Sequence, residues 1–196
     1  MARWQERGLL HGVITQNVDG LHQAAGARDV VELHGNLARV TCLDCGSPSP
    51  REELERRLTA ANPGFNAIAA AVNADGDVEL DDAELDGFTV VDCLACGGTL
   101  KPDVVYFGET VPADRVSRAF ELVAGARTLL VLGSSLTVLS GRRFVLRAVK
   151  QGVRVAIVNR GVTRGEPYAD LLIDAPLGVV LPNLISETDT YRLLPH

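Results

Sequence analysis

Two Cys-x-x-Cys pairs, Cys42/Cys45 and Cys93/Cys96, are each followed directly by glycine, Gly46 and Gly97. Each pair suits a tight knuckle that points two thiolates at one ion, and four sulfurs at tetrahedral geometry close the coordination shell. The zinc this pattern predicts is structural, with no open position for water or substrate. It obliges the chain to fold back on itself, because 47 residues separate Cys45 from Cys93. That separation exceeds the usual ribbon spacing, but a long insertion adds little closure entropy. These four are all the cysteines of the chain, and in a reducing compartment such pairs more often hold metal than form disulfides.

Outside the cysteine-bounded segment, short apolar, β-branched runs alternate with helical patterns, the mark of an α/β fold with a mainly parallel sheet. The clearest unit reads "RTLLVLGSSLTVLSGRRFVLRAVKQGVRVAIVNRG". Thr128 to Leu132 is expected as a buried strand, Gly133-Ser134-Ser135 as the turn at its carboxyl end, and Arg142 to Lys150 as a helix stopped by Gly152. Val153 to Val158 then forms the next strand. This is one β-α-β crossover, and ligands bind at the carboxyl ends of such strands, where Asn159 also falls. Upstream, "GVITQNVDG" reads as a strand entering a polar turn, "DVVELHG" as a second short strand and "KPDVVYFG" as a third. Pro112 to Ala124 carries Val116, Ala119, Phe120 and Val123 on one helical face. A helix is expected over Pro50 to Leu58, between the two cysteine pairs. The economical division is a main domain of residues 1–41 and 97–196 with a small zinc-binding module, 42–96, inserted into it.

A chain of 196 residues is long enough for one sizeable core with a satellite, and its 46% apolar and 22% charged residues are ordinary globular usage. The net charge of -6 is concentrated in residues 73–92, which hold eight acids and no Lys or Arg. Leu80 stands where a calcium loop starting at Asp75 would need glycine, so this run reads as a solvated loop. The remainder is nearly neutral and lacks the basic cluster that a phosphate backbone requires, which argues against nucleic acid as a partner. No stretch approaches the roughly 18 uncharged apolar residues of a membrane span, and the start "MARWQERGLL" lacks a secretory apolar core. A cytoplasmic location without membrane contact is expected.

His34 lies eight residues ahead of Cys42 in "VELHGNLARVTCLDCG". If four thiolates fill the zinc sphere, its imidazole is not needed there. It is then either a hydrogen-bonded structural residue or a proton-transfer group able to act near neutral pH. In "ITQNVDGLH", Gln16, Asn17 and Asp19 crowd three polar side chains onto a strand end, where they could bind a carboxamide or a sugar hydroxyl. An Asx-rich turn feeding a helix over Gly20 to Ala25 explains the same residues equally well.

The segments "TQNVDGLH", "ELHG", the two cysteine pairs with "CGGTLKPDVVYFGE", "LVLGSSLTVLSG" and "IVNRG" occur in the order and approximate spacing found in the sirtuins. From Gly12 to Leu184 the chain resembles this family of NAD-dependent protein deacylases. The "GSSLTVLSGRRF" run and the acid-bearing insertion are similar to its class II branch. The resemblance implies a Rossmann-like fold, with His34 as catalytic base and Cys42, Cys45, Cys93 and Cys96 as ligands of one structural zinc. Gln16, Asn17 and Asp19 then belong to the nicotinamide and ribose pocket. Gly133, Ser134 and Ser135 lie at the adenosine side, with Asn159, Arg160 and Gly161 beside the adenine ribose and Leu177 touching the cofactor late in the chain. Val104, Phe107, Gly108 and Glu109 match the edge that pairs with an extended acyl-lysine peptide.

The implied reaction removes an acyl group from lysine with release of nicotinamide and O-acyl-ADP-ribose, His34 helping to deprotonate a ribose hydroxyl. One departure bears on this. The family opens with a strand, a Gly-Ala-Gly-type turn that meets the pyrophosphate, and an Asp-Phe-Arg loop, and none of these is in the sequence. The parallel sheet is therefore expected to be incomplete at its N-terminal end, and this chain to be weak or inactive in turnover. Two rival expectations follow: a non-catalytic, zinc-stabilised remnant that binds protein segments along the Val104 to Glu109 edge, and a protein ADP-ribosyltransferase using the same site.

Overall fold

The alternation of apolar runs and amphipathic segments resolves into a mixed α/β architecture with parallel sheets, described by a computed structural model over residues 1–65 and 87–191. All the acids of the 73–92 run except Asp92 lie outside the described residues. The chain divides into two compact units, one of residues 1–35 and 105–196, the other of residues 36–104.

In the first unit, β1 (Val13–Thr15) pairs in parallel with β2 (Val30–Glu32), Val13 opposite Val30. A second parallel sheet has the order β6-β7-β8, built from β6 (Thr128–Leu132), β7 (Arg154–Val158) and β8 (Leu171–Ile173). Thr128 faces Arg154 and Leu132 faces Val158, so β6 and β7 run in register along their whole length. The β6 and β7 segments are apolar runs of the kind parallel strands favour, and β7 is the more enclosed of the two. Helix α4 (Ala113–Ala124) and helix α5 (Leu139–Lys150) bury side chains in the core of this unit. The core joins Val31, Leu33, Val123, Val131, Phe144, Val145, Val155 and Ile157, with Val116 and Phe120 packed against it. The face expected for α4 is thus the face it buries. Phe120 and Phe144 meet edge-on with ring centroids 5.1 Å apart, and the Arg147 guanidinium lies 4.2 Å from the Phe120 ring centre.

The helix expected over 142–150 begins earlier, at Leu139. Val138 is its N-cap, and its carbonyl accepts from the N–H groups of Gly141 and Arg142. The added first turn contains Ser140 and Gly141, which are poor helix formers. Tertiary packing overrides that preference, since Ser140 and Phe144 are both buried. The unit also holds α1 (Ala2–Glu6), α2 (Leu21–Ala24) and the longer α6 (Leu177–Tyr191). Among the described residues no helix is long and apolar enough to cross a membrane.

The second unit is built on a three-stranded sheet of order β4-β3-β5, from β3 (Gly35–Cys42), β4 (Pro48–Pro50) and β5 (Leu100–Val104). The β3 and β4 strands are antiparallel, Val40 opposite Ser49. Helix α3 runs from Arg51 to Ala61, three residues beyond the end expected from sequence. The strand expected over "KPDVVYFG" stops at Val104. Tyr106 to Glu109 instead close a turn, in which the Glu109 N–H donates to the Tyr106 carbonyl and the Tyr106 N–H to the Glu109 carboxylate.

Candidate functional site

The four cysteines form the one cluster of metal-ligating groups found among the described residues, with all ligand atoms within 4.8 Å of one another. Each knuckle is shaped by its own backbone: the Gly46 N–H donates to the Cys42 carbonyl and the Gly97 N–H to the Cys93 carbonyl. Both glycines adopt positive φ, 70° and 73°, as the turn demands. The Sγ atoms of Cys42 and Cys96 are 3.5 Å apart and those of Cys45 and Cys93 3.9 Å. Zinc–sulfur bonds of about 2.3 Å set the edge of a tetrahedron at about 3.8 Å, so the donor set fits zinc.

The thiols carry the same message electrostatically. The Cys45 backbone N–H leads in pulling the Cys42 thiol down to about 7, and the neighbouring Cys45 thiol leads in pushing Cys96 up to about 12. Four thiolates cannot share so small a space unless a cation sits among them. The two knuckles are held together by Asp44, whose carboxylate accepts from the Thr99 N–H at 3.0 Å.

In the first unit, polar groups gather at the carboxyl ends of the parallel strands. His34 follows β2, and its position is fixed through the backbone: the Leu33 N–H donates to the Thr15 carbonyl and the Val105 N–H to the His34 carbonyl. The half-buried ring places Nε2 2.9 Å from the buried Ser140 hydroxyl. Burial is the main influence holding His34 below its ordinary pKa near 6.5. The Gln16 backbone carbonyl opposes that shift, and the Arg143 charge adds to it. A ring N–H given to the Gln16 carbonyl leaves Nε2 as an acceptor, so the imidazole is neutral near pH 7 with a lone pair available.

Gln16 sits just beyond β1, and its Oε1 accepts from the Ser134 hydroxyl at 3.4 Å. The end of β1 is thereby brought to the end of β6. Asn17 donates its backbone N–H to Thr15 Oγ1. Asp19, just ahead of α2, accepts from the Leu21 N–H at 3.0 Å in an Asx-turn. After β6, Gly133 takes φ +58°, and a side chain there would strike Leu177 Cδ1 at 2.9 Å. Leu177, far away in sequence, thus lies directly on the Gly133 turn. The Ser135 carbonyl accepts from the Arg164 N–H and the Ser134 carbonyl from the Thr163 hydroxyl.

At the end of β7 the buried Asn159 side chain donates to the Gly161 carbonyl at 2.9 Å, and the Arg160 carbonyl is within 3.4 Å. The Gly161 N–H donates to the Asp174 carboxylate. Gly161 has φ +82° and open space where a side chain would project, a bare backbone that a ligand can approach. Of the residues matched to a peptide edge, Phe107 is wholly exposed and Gly108 has φ +89°. The Val104 carbonyl accepts from Lys101 Nζ at 2.8 Å.

Three residues of this arrangement are not evident from sequence: Ser140, Thr163 and Asp174. The serine stands in an apolar helical run and the other two in a loop and at a strand end, and only contacts across the fold distinguish them from solvated polar residues. The chain's residues 1–140 match the Sir2 family profile. It is 59% identical over 181 residues to NAD-dependent protein deacetylase 1 of Streptomyces coelicolor, a match that covers 92% of this chain and 60% of that one. To the NAD-dependent protein lipoamidase sirtuin-4, mitochondrial, of Bos taurus it is 46% identical, covering 93% and 58%. A solved structure of Sir2 bound to acetylated peptide superposes with a TM-score of 0.74 at 30% identity over 96% of this chain and 68% of that one. The chain thus spans about 60% of the length of these two curated relatives.

Proposed function

Because the chain belongs to the Sir2 family, we propose that it is the larger part of an NAD-dependent protein-lysine deacylase of the class II branch. The observation that supports this reading is a half-buried His34 just beyond β2, kept neutral by burial, with Nε2 2.9 Å from the Ser140 hydroxyl, while Gln16 at the end of β1 accepts from Ser134 at the end of β6. The reading assigns residues 1–41 and 97–196 to the cofactor-binding catalytic domain and 42–96 to the zinc module. Bound NAD supplies an electrophilic ribose carbon and a nicotinamide leaving group.

The protein's own contribution is positional and electrostatic. Gln16, Asn17 and Asp19 orient the carboxamide and its ribose. The Gly133 turn, with Ser134, Ser135 and Leu177, lines the adenosine side, and Asn159, Arg160 and Gly161 receive the adenine ribose. Val104, Phe107, Gly108 and Glu109 hold the acyl-lysine peptide in extended form. His34 accepts a proton from a ribose hydroxyl, its lowered pKa keeping the ring neutral at neutral pH. The four cysteines hold structural zinc and take no part in proton transfer. A cytoplasmic location, with neither nucleic acid nor membrane as partner, completes the reading.

Incubating the chain with NAD and an acetyl-lysine peptide, and following nicotinamide and peptide mass, tests it. Loss of the acyl group together with nicotinamide release supports it. ADP-ribose added to protein would replace it with the transferase reading. The wholly exposed Phe107 favours a second reading, in which this turn binds protein segments without turnover. Calorimetry separates the two: measurable heat with NAD supports the enzyme, and its absence alongside peptide binding supports the binding protein.

A further inference from the structure

The first turn of α5 touches both groups on which the proposed reaction depends. Ser140 is buried, and its hydroxyl lies 2.9 Å from His34 Nε2. The next residue, Gly141, has no side chain, and a Cβ there would meet Gln16 Oε1 at 2.9 Å, Cδ at 3.0 Å and Nε2 at 3.1 Å. The whole Gln16 amide therefore rests against the Gly141 backbone. Gly141 does not adopt positive φ and sits inside a helix, where alanine is the better helix former. Local conformation does not explain the glycine, whereas the space taken by Gln16 does.

The serine admits a parallel argument. A buried hydroxyl commonly turns back to its own helix carbonyl, but this one faces a ring 106 residues away in sequence. With the other ring nitrogen turned to the Gln16 carbonyl, the Ser140 O–H donates to Nε2 and favours one tautomer and one ring orientation. Ring and amide stand beyond neighbouring parallel strands, β2 and β1, and consecutive residues of one helix turn touch both.

We propose that Ser140 and Gly141 are positioning residues of this site: the serine hydroxyl aims the His34 ring, and the glycine's bare backbone seats the Gln16 amide. The inference rests on the deacylase reading for its catalytic meaning but not for its geometry, so its test reads side chains directly.

Nitrogen-15 NMR of the full chain distinguishes the His34 tautomers, and the Gln16 side-chain NH2 signals report the amide. In the unaltered protein the Nε2 shift is expected at the non-protonated extreme. Ser140→Ala should move it toward the two-tautomer average with the fold intact, and Ser140→Thr, which retains a hydroxyl, should restore it. Gly141→Ala should displace the Gln16 NH2 signals and abolish their contact with the residue 141 backbone while leaving the thermal midpoint level or higher. Where turnover is measured, Gly141→Ala should raise KM for NAD at least fivefold, and Ser140→Ala should lower kcat with KM little changed. Unchanged ring shifts in Ser140→Ala, or unchanged Gln16 signals in Gly141→Ala, overturn the assignment whether or not the chain deacylates.

Discussion

Replacing Cys93 by serine probes the zinc module at one of its two buried donors. Cys93 is buried, its Sγ is 3.9 Å from Cys45 Sγ, and its N–H donates to the Gly98 carbonyl at 2.8 Å. Serine nearly preserves the shape but supplies a hydroxyl that stays protonated at neutral pH and reaches less far than sulfur. Three thiolates remain, and the ion must complete its shell with water or the weaker hydroxyl. Loss of a ligand's outer-shell partner alone typically costs 10- to 100-fold in metal affinity, so loss of the ligand itself should exceed about 100-fold, or about 2.7 kcal/mol. Metal affinity is folding free energy in such a module. That amount should appear as a melting temperature lower by roughly 5 to 11 °C, at about 2 to 4 °C per kcal/mol for a chain of this size.

The assay is zinc content by mass spectrometry, with calorimetric melting before and after chelation. Cys93→Ser should lose its zinc to a chelator that leaves the unaltered chain loaded. Its melt should lie close to that of the stripped protein. Stoichiometric zinc in Cys93→Ser with an unshifted melt would falsify the four-thiolate site and with it the structural assignment of the cysteines.

Other substitutions follow from the same geometry. His34→Ala should abolish deacylation in a form of the protein that turns over, with zinc content unchanged; retained turnover removes His34 from its role. Because burial lowers the His34 pKa, the acidic limb of the pH–rate profile should fall below pH 6.5. The same shift makes the group's contribution to stability complete above about pH 6.5, and it declines as pH falls toward the folded-state value, since the unfolded chain binds the proton first. Urea titrations across that window in native and His34→Gln proteins would show no difference in slope if the shift were absent. Ile157→Ala removes a fully buried side chain from the central strand of its sheet and should cost about 3 to 4 kcal/mol, read as the denaturant midpoint. Gly165→Ala would place a Cβ 2.5 Å from Leu136 Cδ1 and 2.6 Å from Ile157 Cδ1, and overpacking of this kind costs about 1 to 3 kcal/mol. A neutral melt would show that the two side chains yield.

How far the fold could be read from the chain differs among its parts. The β6-α5-β7 crossover and the α4 helix were legible because continuous apolar strands and a one-sided helix are periodic signals. The β8 strand and α6 were not: "LLI" is three residues long, and α6 contains Pro182, which breaks the local pattern a helix relies on. The 100–104 strand was read too long, because "VVYF" has strand composition but closes as a turn through the Glu109 carboxylate. Asp19 carries two readings in sequence, and its carboxylate accepts from the Leu21 N–H as an Asx-turn does, a contact that only the folded backbone shows.

Residue identity and spacing alone determined the four-sulfur cluster, since two Cys-x-x-Cys turns can satisfy one tetrahedral ion wherever the chain between them goes. They also determined the parallel α/β pattern, which is written in short-range periodicity. Tertiary structure alone decided what surrounds His34. The hydroxyl on Nε2, the carbonyl that opposes its pKa shift, the burial that lowers it and the glycine that admits Gln16 come from segments far apart in the chain. Such contacts depend on how helix and strands pack, and packing leaves no periodic trace in the order of the residues.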